Sequence, residues 1–233
     1  MNFALRPAVF VLALFGGAVH AEQPWTLSNN TRYIALGDSL AAGYGATPTT
    51  QGYAYLLYQK GTYDQATNTI FANAAVPGAT SGDVLAYQLP PAINPFRPHV
   101  VTLSVGGNDA LSTLPPINAD PLTVIRQFQE NLGRILCGLR AALPQARIYV
   151  SNLYDIPEIT SQVRGGLELI VTFNHVITAT ANACGAGVAD VFSEFSGRTG
   201  LLLIERNGAG QFEVHPTNAG YRAMAAAFEA VHQ

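Results

Sequence analysis

Apolar positions along this chain follow two rhythms, and the alternation between them predicts the fold. Five short runs bounded by breaker residues have strand character: residues 33–36, 70–73, 100–105, 147–151 and 188–191. Between them lie segments that read as helices. Residues 53–60 follow a glycine, and 81–89 open on a capping serine, Ser81, and stop before Pro90-Pro91. Residues 121–143 carry the fullest signals, with Asp120 at the N-cap, Pro121 at the first position and Pro144 beyond the end. Residues 166–184 close at Gly185, and 217–231 place Tyr221, Met224, Ala225 and Phe228 at helical spacing.

Strands that alternate with helices imply a parallel sheet with right-handed crossovers. The expected fold is therefore α/β, a three-layer helix/sheet/helix sandwich with a five-stranded parallel sheet in the flavodoxin-like order 2-1-3-4-5. Ligands of such sheets bind beyond the carboxyl ends of the strands. Here those ends carry unusual residues. Ser39 follows the first run, PGAT (77–80) the second and GGND (106–109) the third. In the expected order, the loops with Gly78 and Asn108 flank Ser39.

A serine in a glycine-bracketed turn can be a solvated residue, a helix cap or a nucleophile. As a nucleophile it needs a base for its proton and donors for the oxyanion it creates. Gly78 offers an unobstructed backbone N–H, Asn108 a side-chain amide, and the Ser39 N–H is a third candidate. Taken singly, Gly78 also fits a tight turn and Asn108 a turn or cap. Of the histidines, His20 lies in the apolar leader, His99 before a strand, His175 inside a helix and His232 near the tail. His215 remains, on a loop stiffened by Pro216 before the last helix. The stretch 192–214 is long enough to return it across the sheet top.

In order, the blocks GDSL at Ser39, NAAVPGATSGDVL, GGND at Asn108 and HPTNAGYRAMA at His215 resemble the SGNH (GDSL) hydrolases. That family comprises serine esterases, lipases, lysophospholipases, thioesterases and carbohydrate deacetylases, and the resemblance spans residues 32–231. It implies Ser39 as nucleophile, Gly78 and Asn108 with the Ser39 N–H as oxyanion donors, and His215 as base. One position departs from the pattern. The family usually has aspartate three residues before the histidine, where this chain has Phe212, while Glu213 stands two before. Residues i and i+2 of an extended segment share a face, so either Glu213 or a backbone carbonyl can orient the ring. Asp190 and Asp155 are third choices. The GxSxG elbow is met only halfway by residues 37–41, and GAG at 185–187 does not open a helix, so dinucleotide binding is unsupported.

Composition narrows the rest. Net charge is −3, without a basic block, which argues against nucleic acid. The charged fraction, 12%, is about half the usual value, weak support for a large apolar surface. Two cysteines are too few for a thiolate zinc site and the histidines are scattered, so no metal or cofactor is expected. Arg6, the apolar stretch after it and the small residues before Glu22 read as an export signal, residues 1–21. The remainder, 22–233, reads as one hydrolase domain: monomeric, periplasmic or secreted, and without a stable membrane anchor once cleaved. Export lets Cys137 and Cys184 oxidise, and both fall late in helices expected to be parallel neighbours on one face, so a bridge between them is expected. The leading reading is hydrolysis of a small-molecule ester or lipid. A cell-surface polysaccharide deacetylase and a catalytically silent binding domain are the alternatives.

Overall fold

The computed structural model describes residues 30–203 and 214–232. The expected export signal lies outside the described residues, as do Phe212 and Glu213. In chain order the elements are β1 (Thr31–Gly37), α1 (Ser39–Ala42), α2 (Tyr53–Lys60), β2 (Thr69–Asn73), a helical stretch α3 (81–96), β3 (Val100–Ser104) and α4 (Gly107–Leu111). There follow α5 (Pro121–Ala142), β4 (Arg147–Ser151), α6 (Pro157–Thr160), α7 (Gly166–Ala183), β5 (Gly187–Ala189), α8 (Val191–Phe195) and α9 (Asn218–His232).

All four strand pairings are parallel and the order is β2-β1-β3-β4-β5, as the sequence predicts. The central strands β1 and β3 are buried on both faces, which is why they read as mainly apolar runs rather than as strict alternation. Ile34, Leu36, Val101, Leu103, Ile148 and Val150 face α3, α5 and α7. Tyr33, Ala35, Val100 and Tyr149 face α2, α8 and α9. Cys137 on α5 and Cys184 at the end of α7 are joined in a disulfide, with Cα atoms 4.8 Å apart.

Three features differ from expectation. The prolines at 90 and 91 do not end α3; the helical path continues through them to residue 96, with a kink at Asn94, whose backbone is extended (φ −150°, ψ 119°). Its turns widen to i→i+5 bonding, with the Leu89 N–H on the Val84 carbonyl and the Arg97 N–H on Ala92. Widening moves the preceding carbonyl away from the proline ring, which would otherwise clash with it. The N-cap of α3 is Thr80, in a reciprocal box with Asp83, and not Ser81. Finally, β5 stops at Ala189, because Asp190 turns the chain into α8 by accepting from the Ser193 N–H.

Candidate active site

The end of β1 is built to a tight tolerance. Gly37 has φ +129°, and a Cβ there would sit 1.9 Å from the Ser104 carbonyl oxygen of β3, so only glycine fits. Buried Gln88 grips its backbone from both sides: the amide oxygen accepts from the Gly37 N–H at 2.7 Å and Nε2 donates to its carbonyl at 2.8 Å. Asp38 then leaves the strand, its N–H bonded to the Ser104 carbonyl. The Asp38 side chain caps α1 by accepting from the Leu40 N–H at 3.0 Å. Ser39 is thereby the first residue of a one-turn helix, which ends at Gly43. Asp38 is 3% exposed, and burial pushes its carboxyl up to about 7, against the pull of the Leu40 and Ser104 hydrogen bonds.

The second loop is a tight turn in which the Ala79 N–H meets the Val76 carbonyl, with Pro77 and Gly78 at its centre. Gly78 has φ +85°, and a Cβ would touch nothing within 4 Å. Backbone conformation, as in a type II turn, is therefore what requires glycine, and the space beside it stays open. The third loop opens α4. The Asn108 amide donates one hydrogen to the Ala79 carbonyl at 2.9 Å, which leaves its second N–H for another acceptor. The next residue, Asp109, takes both donors of Ser81, the N–H at 2.9 Å and the hydroxyl at 2.6 Å.

His215 stands on a short antiparallel bridge between Leu202 and Pro216, its carbonyl accepting from the Leu203 N–H at 2.8 Å. The Tyr154 hydroxyl donates to the adjacent Val214 carbonyl at 2.7 Å. The imidazole lies against the Tyr44 ring, centroids 4.5 Å apart. Ser39, Gly78, Asn108 and His215 thus come from four separate loops to line one cavity of about 760 Å³. Asp190 and Asp155 do not line it. Asp190 holds the start of α8 together with Asn152, and Asp155 accepts from the Thr160 hydroxyl. Among the described residues, no group of three or more His, Cys, Asp or Glu could hold a metal ion.

Residues 35–223 match the sequence model of the GDSL-like lipase/acylhydrolase family. The chain belongs to that family. Over 111 residues it is 36% identical to a lipase of Streptomyces rimosus, covering 46% of this chain and 39% of that one. Over 108 residues it is 33% identical to esterase TesA of Pseudomonas aeruginosa, covering 46% and 48%. The matched segments thus span less than half the length of these two relatives. A crystal structure of TesA shares the fold, with a TM-score of 0.66 over 87% of this chain and 98% of that chain at 24% identity.

For a GDSL-like chain, the part that sequence reasoning missed is the far wall of the cavity. It is supplied by Leu111 and Leu114 after β3 and by Leu153, Ile159, Val163 and Leu169 after β4. A signal was present. The connection between Ser151 and Gly166 is rich in apolar residues, more than a solvated loop needs.

Proposed function

We propose that the chain is a serine hydrolase of carboxylic esters, of the esterase, lipase or lysophospholipase type. One observation carries this reading: a serine on a capped turn, a histidine and two potential oxyanion donors line the same cavity. Ser39 Oγ attacks the ester carbonyl while His215 takes its proton. The oxyanion accepts from the Gly78 N–H, the second N–H of the Asn108 amide and the Ser39 N–H, donors already fixed before the reaction. His215 then protonates the leaving alcohol, and water repeats the sequence on the acyl-enzyme. The mainly aliphatic wall supports an acyl chain longer than acetyl, which weighs against a polysaccharide deacetylase. Residues 1–21 are proposed to direct export, and among the described residues no helix is long and apolar enough to cross a membrane.

A panel of p-nitrophenyl esters of rising acyl length, with a serine-reactive fluorophosphonate label, tests the reading. Ser39→Ala and His215→Ala are each expected to lose roughly 10⁴-fold or more in activity with folding intact. Retention of more than about a tenth of activity in Ser39→Ala would end the assignment. For the group that orients His215 we propose Glu213, two residues before it, since residues two apart share a face wherever a segment is extended. Glu213→Gln is then expected to cost at least about 10²-fold. A loss below threefold would leave a serine–histidine dyad oriented by a backbone carbonyl.

A further inference from the structure

Asp109, the last residue of GGND, has no part in the chemistry described so far, yet its surroundings are unusually complete. It is 9% exposed, and both carboxylate oxygens are taken by one residue of another loop: Oδ2 by the Ser81 N–H and Oδ1 by the Ser81 hydroxyl. The direction of that hydroxyl is fixed from behind. Asn131 on α5 donates Nδ2 to Ser81 Oγ at 3.0 Å, so the Ser81 proton is committed to Asp109. Gln127, one turn earlier on α5, donates to the Asn131 amide oxygen at 3.1 Å. A carboxylate is suited to this place because it only accepts, and so meets an N–H and an O–H side by side. An asparagine would turn a donor towards one of them, in a setting where an unpaired polar group is costly.

These contacts join two loops that matter. Asp109 follows Asn108 directly, and Ser81 lies three residues after Gly78. The Asn108 amide also bonds to the Ala79 carbonyl between them. We infer that Asp109 is a positioning residue, which locks the loop of Gly78 to the loop of Asn108 through Ser81 so that the two oxyanion donors act as one unit. This rests on the ester-hydrolase reading above. Its consequence is specific. Donors preorganised for the transition state affect kcat more than KM, and an error of about 1 Å in their placement costs on the order of 10²-fold.

A double-mutant cycle tests the lock, using full-length protein and a monomeric p-nitrophenyl ester. Asp109→Asn is expected to lower kcat roughly ten- to hundredfold while KM moves less than about threefold. In an Asn108→Ala background, where the amide that the lock aligns with Gly78 is gone, the same substitution should cost at least threefold less than in the wild type. General loosening of the fold, or a smaller active fraction, would cost the same factor in both backgrounds. A coupling below threefold therefore overturns the inference. Should Asp109→Asn fail to fold by thermal melting, Ser81→Ala carries the same cycle with the same threshold, since it removes the hydroxyl link alone. A wild-type chain with neither ester hydrolysis nor fluorophosphonate labelling would instead overturn the reading beneath it. An active wild type with independent effects overturns only the lock.

Discussion

Against one face of the sheet, α5 and α7 pack Leu132, Ile135, Leu136, Phe173 and Ile177 onto Leu36, Leu103 and Val150. Against the other, α2, α8 and α9 bring Tyr53, Phe195, Tyr221 and Phe228 onto Tyr33 and Tyr149. The first layer is mostly aliphatic, and its polar direction comes from a few buried side chains such as Asn131 on α5 and not from its rings. The second carries hydroxyls at the ends of its rings, and a buried ring with a polar tip can both fill space and hold a loop. Tyr154 and Tyr221 do this at the site: their hydroxyls donate to the carbonyls of Val214 and Tyr44, the neighbours of His215 in sequence and in space. The loops with Gly78 and Asn108 belong to the aliphatic side, where direction comes from the Ser81–Asp109–Asn131 network. The candidate base and the candidate oxyanion donors are thus held by different means.

The largest expected effect that separates the faces is confined to the aliphatic one. The Cys137–Cys184 bridge closes a separation of 47 residues, worth about 4 kcal/mol in the chain-entropy account. Replacing both cysteines by serine should lower stability by that order, read as a shift in urea midpoint. Activity at 25 °C should stay within about twofold, since neither residue lines the cavity. A large loss of activity in folded protein would mean that the two faces are not separable.

Next in size is Asp38, at the seam between them. Its carboxyl is pushed up to about 7 in the folded protein by burial, from an ordinary value of 3.8. Between those values the folded state holds the proton more tightly than the unfolded one. Stability contributed by this group is therefore full below about pH 4 and declines as pH rises to about 7, by a few kcal/mol at most. Asp38→Asn should flatten this slope, so its deficit or surplus against wild type shifts in its favour between pH 5 and pH 8. Equal slopes in urea melts at the two pH values would remove the claim.

Much of this division could be read from the sequence, and the failures have physical causes. The strands and the long helices follow from period and caps, the strand order from the flavodoxin-like arrangement expected of such a parallel sheet, and Asp120 does accept from the Thr123 N–H as the N-cap pattern requires. Three of the four candidate site residues stand out because each sits at a local exception, a glycine turn or a polar residue after an apolar strand, whereas His215 is reached by setting the other histidines aside. The path of α3 through Pro90 and Pro91 was not, since widened turns depend on what packs around them rather than on propensity. Gln88 at the end of β1 was hidden for the same reason: its partner is 51 residues away. The cavity wall after β4 escaped because its apolar residues serve a space and not a periodic face. Glu213 stands where sequence alone speaks.

The smallest effect tests the aromatic side. Tyr154→Phe keeps the ring, which stacks on Phe195 with centroids 4.7 Å apart, and removes the hydroxyl that holds Val214. Losing one such hydrogen bond costs about 1 kcal/mol of stability. On the aliphatic side, Ile135→Val at a fully buried position costs about the same by deleting a methylene. The two variants are thus matched in stability and differ in what they loosen. Tyr154→Phe frees the segment that enters His215, so kcat should fall by roughly three- to tenfold as the base samples poorer geometry. Ile135→Val should leave kcat within about 1.5-fold, because nothing directional is lost. Comparable losses of kcat in both would show that general stability, and not the tyrosine hydroxyl, sets the position of His215. A fall confined to Tyr154→Phe, with KM little changed, would place the hold on the histidine loop in the aromatic layer.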